Sequence, residues 1–91
     1  MFYVYLLSSK SANKLYVGKS SDLRRRIEEH NTGQNMSTKA HRPWEVIFYE
    51  AYTNRDDANR REKYLKTTQG RQALRRMLKC YFEDNDKTYF D

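Results

Sequence analysis

The chain has 91 residues, of which 37% are hydrophobic and 33% are charged, and its mean hydropathy is −1.13. A chain of this size and polarity builds one small domain with a thin core, which excludes a large multilayer enzyme and a full dinucleotide-binding domain. The formal net charge of +6 favours a polyanionic partner such as nucleic acid, although a protein that is merely basic has the same charge.

The sequence carries no signal for a membrane or for export. No stretch approaches the roughly 20 apolar residues that cross a bilayer. The apolar segment 1–7 is short and lacks the basic residues of a signal peptide. The single cysteine, Cys80, excludes a disulfide framework and suits a reducing compartment. We therefore expect a cytoplasmic protein without a membrane partner.

The N-terminal part of the chain predicts a β-hairpin. Residues 2–7 form a continuous run of aromatic and branched apolar side chains, which is typical of a buried strand. Residues 15–17 form a second short strand, which we expect to end at Gly18. Because only a short polar segment separates the two strands, a hairpin is the economical connection.

The first helix is expected to follow this hairpin directly. Ser20 and Ser21 are its candidate N-caps, and Gly33 is its stop signal. Leu23 and Ile27 lie four residues apart and form its apolar stripe. A polar, basic loop then leads to Pro43.

The rest of the chain predicts one more strand and two helices. Alternation of Trp44, Val46 and Phe48 with their neighbours indicates a third strand. Asn54 is the candidate N-cap of a second helix, which we expect Gly70 to end. A last helix is indicated by three apolar residues at helical spacing: Leu74, Met77 and Leu78.

These elements predict an α+β fold of order ββαβαα, with a small three-stranded mixed or antiparallel sheet flanked by helices. We expect residues 1–82 to form the domain. Residues 83–91 form an acidic tail without periodicity, which is a candidate for disorder. Residues 1–80 carry 17 basic and 8 acidic side chains, so this tail either solubilises the protein or competes with nucleic acid for the basic body.

Five polar side chains are brought to one region by the predicted hairpin and first helix. Tyr3 and Tyr5 point to one face of the first strand, and Tyr16 lies on the adjacent strand. Arg26 and His30 are four residues apart and share one helix face. Each also has a structural interpretation, because strand tyrosines are usually packing residues, arginine runs are usually solvated, and a histidine near a helix C-terminus can favour the dipole.

Glu62 is a further candidate on the second helix. It lies beside the apolar positions Ala58 and Leu65, so it is close to the predicted core. The alternative is that Glu62 is one half of a surface pair with Arg61 or Lys66.

The order of these residues resembles the GIY-YIG nuclease family over residues 2–79. The resemblance rests on Tyr3-Val4-Tyr5, Tyr16-Val17-Gly18 and Leu23-x-x-Arg26-x-x-x-His30-Asn31-x-Gly33. The later Ala58-x-x-Arg61-Glu62-x-x-Leu65-Lys66 is similar to the family helix that carries one metal-binding glutamate. Tyr3 stands where the first motif has glycine, and Val17 where the second has isoleucine. The chain looks most like the stand-alone bacterial single-domain branch, which resembles the N-terminal nuclease domain of a nucleotide-excision-repair endonuclease.

The resemblance implies a role for each catalytic candidate. Tyr16 is the expected general base on water, and Arg26 is expected to bind the scissile phosphate. Glu62 is expected to hold one Mg²⁺ or Mn²⁺ ion, which suits a single carboxylate because Mg²⁺ keeps several waters. His30 would relay the proton or bond Tyr16. Tyr5 would position the water or the phosphate.

The function implied is a metal-dependent endonuclease that hydrolyses phosphodiester bonds in DNA, in repair or recombination, without a small-molecule cofactor. A chain this short leaves little room for sequence readout, so we expect selectivity for nucleic-acid structure. The candidate phosphate contacts are Lys14, Lys19, Lys39, Arg42, Arg60, Lys63 and Lys66. The alternatives are a catalytically inactive nucleic-acid-binding module on the same fold, and a small interaction protein with an acidic protein partner.

Overall fold

The computed structural model describes residues 1–85, 87 and 90. The strands are β1 (Phe2–Ser9), β2 (Leu15–Ser20) and β3 (Trp44–Tyr52). The helices are α1 (Leu23–Asn31), α2 (Arg55–Leu65), α3 (Thr68–Met77) and α4 (Lys79–Asp84), and a short 3₁₀ helix covers Lys39–His41. The predicted α+β class is confirmed, and α4 is an element that the sequence pattern did not predict.

The sheet is antiparallel throughout, with strand order β2-β1-β3. Strand β1 is central because its continuous apolar run can be buried on both faces. Residues 4–9 are all buried, whereas the flanking strands expose part of their side chains. The central strand therefore places Tyr5 in the middle of the domain.

Strand β2 continues past the glycine at which we expected it to end. Gly18 lies inside β2 and pairs with Tyr5 of β1. A Cβ atom at position 18 would lie 2.4 Å from the Tyr5 hydroxyl oxygen, so the tyrosine side chain lies across the glycine. Glycine is thus needed here for close approach, and it does not break the strand.

The two faces of the sheet carry separate clusters of buried side chains. On one face, Tyr5, Leu7 and Trp44 are buried beneath α1, and Tyr16 packs against them. The opposite face packs against α2 and α3. Its buried residues are Val4, Leu6, Leu15, Val17, Ala58, Leu65 and Leu74. The domain is therefore a three-layer arrangement of helix, sheet and helices.

Side-chain caps define where α1 and α2 begin. The N-cap of α1 is Asp22, whose carboxylate accepts from the Arg25 amide, so the prediction of Ser20 or Ser21 was wrong. The Ser20 hydroxyl accepts from the Asp22 amide instead and forms the turn before the helix. The predicted cap of α2 is confirmed, because Asn54 accepts from the amides of the first turn.

The second glycine prediction was also wrong. Gly70 lies within α3, and the break between α2 and α3 is made by Thr67, whose hydroxyl accepts from the Gly70 amide. A Cβ at position 70 would lie 2.0 Å from the Tyr64 carbonyl oxygen. The glycine therefore allows α3 to pack closely on the end of α2.

The segment predicted to be an acidic tail begins inside α4, which ends at Asp84. Beyond it, the Lys87 amine donates to the carbonyls of Ser9 and Ala12, at 2.6 and 2.7 Å. Phe90 forms a parallel bridge with Leu15 and packs against the core. Residues 86, 88, 89 and 91 lie outside the described part of the chain, so the boundary at residue 82 stays a prediction.

None of the helices that the structure describes is both long enough and apolar enough to cross a bilayer.

Candidate active site

A buried chain of hydrogen bonds connects the sheet to the loop after α1. The Tyr5 hydroxyl lies 2.8 Å from His30 Nε2, and His30 Nδ1 lies 2.7 Å from the Thr38 hydroxyl oxygen. All three side chains are at most 1% exposed. The Trp44 indole N–H donates to the Thr38 carbonyl at 2.7 Å, which fixes the loop against β3. His30 is therefore held at both ring nitrogens.

The direction of these hydrogen bonds follows from the donors present. The Thr38 hydroxyl donates to the Asn35 carbonyl oxygen at 3.5 Å, so its own oxygen is left to accept from His30 Nδ1. Nδ1 therefore carries the ring proton, and Nε2 accepts from the Tyr5 hydroxyl. This assignment makes His30 a neutral imidazole of defined tautomer.

Burial shifts the pKa values of this pair in opposite directions. Burial raises the pKa of Tyr5 to about 12, although the hydrogen bond from Arg26 opposes the shift. Burial also lowers the pKa of His30 to about 4, and the nearby Arg26 charge adds to the effect. Both groups are therefore neutral at neutral pH.

Arg26 is oriented by an acidic partner that the motif does not include. Its Nη1 donates to Glu29 Oε1 at 2.9 Å, one turn further along α1. This hydrogen bond raises the pKa of Arg26 further above its ordinary value. The arginine side chain is still 35% exposed, so part of its guanidinium is open to a ligand.

Tyr16 lies against this chain but does not join it. Its ring packs edge-on against His30 and Trp44, with centroid distances of 5.2 and 6.4 Å. Within the described part of the chain, no hydrogen bond to the Tyr16 hydroxyl is found. The expected hydrogen bond between His30 and Tyr16 was wrong, because Tyr5 and Thr38 take both imidazole nitrogens.

Lys66 connects Tyr16 to the second-helix glutamate. The Lys66 ammonium lies 3.1 Å from Glu62 Oε2 and 5.8 Å from the centroid of the Tyr16 ring. The Glu62 side chain is 18% exposed, so its carboxylate is partly shielded. Arg61, the other proposed partner of Glu62, pairs with Glu50 on β3 instead. The ion pair with Lys66 thus places Glu62 next to the tyrosine.

The donor set restricts the kind of metal that could bind. Over residues 1–85, 87 and 90, no group of three His, Cys, Asp or Glu side chains could enclose an ion. Near Tyr16, Glu62 supplies a single carboxylate as a candidate oxygen ligand. A single carboxylate fits Mg²⁺ or Mn²⁺, which prefer oxygen ligands, Mg²⁺ in particular keeping several waters.

The side chains predicted to contact phosphate lie in several separate regions of the structure. Lys19 is exposed and donates to Asn59 on α2. Lys63 and Lys66 follow Asn59 on α2, four and seven residues on, which is the same side of a helix. Arg60 is turned about 120° away from Lys66 and pairs with Asp57. Lys14 lies before β2, and Lys39 and Arg42 lie in the exposed segment after Thr38.

Two of the residues that build this site could not have been selected from the sequence. Thr38 lies in an irregular polar loop, where no periodicity marks one hydroxyl among several. Glu29 belongs to a mixed charge run on α1, and its spacing of three from Arg26 was the only available signal.

Comparisons with known proteins identify the family to which the chain belongs. Residues 1–77 match the family model described as the GIY-YIG catalytic domain. The chain belongs to the GIY-YIG family. Family membership places it among nucleases, which act on nucleic acid. The prediction from the motif order is thereby confirmed at the level of the family.

GIY-YIG relatives of similar size cover most of the chain. UPF0213 protein SH2523 of Staphylococcus haemolyticus is 35% identical over 74 residues, which is 80% of this chain and 89% of the relative. UPF0213 protein SAV0488 of Staphylococcus aureus strain Mu50 shows the same identity and coverage. The solution NMR structure of UPF0213 protein BH0048 from Bacillus halodurans superimposes with a TM-score of 0.52, at 27% identity and 85% coverage of both chains.

Proposed function

We propose that the protein is a divalent-metal-dependent endonuclease that hydrolyses phosphodiester bonds in DNA. One observation carries the proposal. The motif residues of β1, β2 and α1 form a single contact network with Tyr5, His30 and Tyr16 at its centre, and Lys66 joins this network to Glu62. Arg26, whose charge acts on Tyr5, and Glu62, which pairs with Lys66, thus both adjoin this network, the first as a candidate phosphate ligand and the second as a candidate metal ligand.

The two motif tyrosines have different roles in this proposal. Tyr5 is a poor base, because burial raises its pKa to about 12 and its proton is committed to His30. The Tyr16 hydroxyl has no such hydrogen bond among the described residues, and the Lys66 ammonium lies 5.8 Å from its ring centroid. Tyr16 is therefore the general base that takes the proton from the attacking water.

Arg26 and His30 act on the phosphate and on Tyr5 respectively. Arg26 is held by Glu29 and presents its remaining N–H groups to phosphate oxygens. One such donor is typically worth about 3 kcal/mol in the transition state. His30 positions Tyr5 through Nε2 and keeps a neutral ring against Tyr16. A proton relay from Tyr16 through His30 is not part of the mechanism, since both ring nitrogens are occupied.

Glu62 is the residue that would hold a metal ion. The charge of a Mg²⁺ or Mn²⁺ ion held there would polarise the scissile phosphate and stabilise the leaving 3′-oxygen. Lys66 neutralises the glutamate in the absence of the ion, and it lies close enough to contact a phosphate once Glu62 is otherwise engaged.

We further propose selectivity for nucleic-acid structure, with a role in DNA repair or recombination in the cytoplasm. The described residues form one small sheet with its helices, and the candidate phosphate contacts on them are charged and exposed. Such contacts bind the backbone and carry no sequence information. Binding is therefore expected to weaken steeply with salt and to depend weakly on sequence.

The test is cleavage of single-stranded, duplex, flap and four-way DNA with Mg²⁺ or Mn²⁺. Arg26→Ala, Tyr16→Phe and Glu62→Ala are expected to abolish the cleavage that wild-type protein performs. Arg76→Ala and Tyr64→Phe remove the same groups from exposed positions outside the network and are expected to cut normally. Equal cleavage by every variant would reveal a contaminating nuclease. Metal-independent binding without cleavage, unaffected by Glu62→Ala, would identify an inactive binding module instead.

A further inference from the structure

Two cavities adjoin at the end of the sheet where β1 begins. The larger, about 560 Å³, lies between β3 and the first turns of α1, and the smaller, about 240 Å³, lies between β2 and α2. Tyr3 and Ser21 contribute to the walls of both. The two cavities therefore adjoin at Tyr3 and Ser21, and we refer to them together as the channel.

The larger part of the channel is lined by exposed aromatic surface. Tyr3 and Tyr49 pack edge to face with a centroid distance of 6.0 Å, and Leu23 and Ile27 complete the apolar wall. Tyr49 is 55% exposed. Its open ring face is the kind of surface on which a nucleic-acid base stacks.

The smaller part of the channel is basic and opens toward the candidate active site. Lys19 donates to Asn59, and Arg55 lies over the Phe2 ring at 5.5 Å from its centroid. Asn59 lies one helical turn before Glu62, so this wall is one turn of α2 away from the proposed metal ligand.

The charge along the channel is complementary to a polyanion. Lys19 and Arg55 line the smaller part and Arg24 lines the larger part, whereas Asp22 is the one acidic residue of the walls. Asp22 is engaged as the cap of α1. Three cations thus line the channel, whose larger part also holds the exposed ring of Tyr49.

The channel is also adjacent to the candidate active site, because β1 and β3 are paired strands. Tyr49 is the direct partner of Tyr5 in the β1–β3 register, on the face that α1 covers. Tyr3, at the junction of the two cavities, stands where the family motif has glycine. The aromatic wall is therefore built by residues outside the catalytic set.

We propose that the channel binds an unpaired nucleic-acid strand, whose phosphates follow Lys19, Arg55 and Arg24 and one base of which stacks on Tyr49. The proposal rests on the proposed function and names its substrate class as nucleic acid with a single-stranded segment next to the cleaved bond. A base paired within a duplex is already stacked on its neighbours and offers no open face to Tyr49. Alternating phosphate contacts and aromatic stacking are the usual means of holding single strands.

The test is binding without cleavage. A fluorescent 12-nucleotide single strand and its duplex are titrated into the full chain in EDTA at low salt, and anisotropy is measured. Tyr49→Ala is expected to weaken single-strand binding about tenfold and to leave duplex binding within twofold, whereas Tyr49→Phe keeps wild-type affinity. Tyr64→Ala removes a comparably exposed tyrosine from α2 and is expected to change nothing.

A strand that carries 2-aminopurine reports on the stacking itself. Its fluorescence is expected to fall on binding to wild-type protein and to fall much less with Tyr49→Ala. Unchanged affinity and unchanged quenching in Tyr49→Ala would overturn the channel, even where wild-type protein cleaves DNA. An equal loss with Tyr64→Ala would overturn it as well. Failure of wild-type protein to cleave any DNA, with the Tyr49 effect intact, would remove the endonuclease and leave the channel as a binding site.

Discussion

Thr38 and His30 form the innermost hydrogen bond of the site, with 2.7 Å between the hydroxyl oxygen and Nδ1. Neither residue exposes any surface. The threonine comes from an irregular loop and the histidine from α1, so the loop sets the tautomer of the ring. Because Nδ1 carries the proton, Nε2 is left to accept from Tyr5.

Thr38→Val is expected to lower kcat about tenfold with little change in KM, as is usual when the partner of a functional histidine is lost. Valine keeps the shape of threonine but cannot accept from Nδ1, so the ring is free to change tautomer. Nitrogen NMR shifts of His30 are expected to change from the Nδ1-protonated form to a mixture. Thr38→Ser is expected to restore both readouts. Thr32→Val, at an exposed position, is the control, and a wild-type tautomer in Thr38→Val would contradict the assignment.

His30 is expected to make folding stability dependent on pH below about pH 6.5. Burial lowers its folded pKa to about 4, whereas the unfolded residue has its ordinary pKa of about 6.5. The unfolded chain therefore binds more protons between these values, and the free energy of unfolding falls as the pH falls. From pH 7 to pH 5 the loss is about 2 kcal/mol.

Urea unfolding at several pH values measures this loss. His30→Gln keeps a donor and an acceptor but does not titrate, so its stability is expected to be nearly constant from pH 7 to pH 5. The Arg61 guanidinium and the Tyr52 hydroxyl lower the pKa of Glu50, and loss of that ion pair adds a further fall only at more acidic pH. A wild-type curve that is flat over this range would show that His30 is not held neutral.

Gly18→Ala is expected to disturb Tyr5 before it disturbs the strand. The new methyl group would meet the tyrosine ring and hydroxyl at 2.4 to 2.9 Å, and β2 is paired with β1 on that side. Overpacking of this kind costs about 1–3 kcal/mol. We expect a lower melting temperature, together with a changed His30 NMR signal because the phenol is displaced. A variant with native stability and a native His30 signal would show that the glycine is not required for this contact.

Lys66→Gln is expected to increase the affinity for Mn²⁺. The Lys66 ammonium competes with a cation for Glu62, and exposed ion pairs are worth about 0.2–1 kcal/mol, so the increase is up to about fivefold. Isothermal titration calorimetry measures the affinity, with Glu62→Gln as the variant that should not bind. Lys63→Gln makes the same change of net charge on the neighbouring position and is expected to have a smaller effect. Equal gains in both lysine variants would mean that only overall charge is involved.

The sequence predicted the positions of the candidate site residues better than it predicted their hydrogen-bond partners. Tyr5, Tyr16 and Arg26 lie in strands and a helix whose periodicity is readable, so their shared face could be inferred. The hydrogen bond from Tyr5 to His30 crosses the sheet–helix junction, and it excludes the expected hydrogen bond between His30 and Tyr16, whose rings are nevertheless in contact. Which of two nearby hydroxyl groups donates to the histidine depends on small differences in distance, which residue spacing does not contain.

The structural roles of Gly18 and Gly70 were predicted wrongly from the sequence. Gly18 and Gly70 were expected to end elements, because glycine is a common local breaker. Both instead lie inside elements, where a tyrosine side chain or a helix backbone approaches closely. Local propensity depends on a residue and its immediate neighbours. The contacts at Gly18 and Gly70 are made by Tyr5 and Tyr64, which lie 13 and 6 residues away in the sequence.

Lys87 and Phe90 give the C-terminal segment a mechanical role in the hairpin. The Lys87 ammonium donates to the carbonyls of Ser9 and Ala12, and Phe90 forms a bridge with Leu15. These contacts hold both ends of the turn between β1 and β2. That hairpin carries Tyr5 and Tyr16. Removing residues 83–91 to test the acidic tail would therefore also destabilise the hairpin that carries the candidate site. Neutralising Glu83 and Asp84 as Gln and Asn changes the charge while leaving those contacts in place.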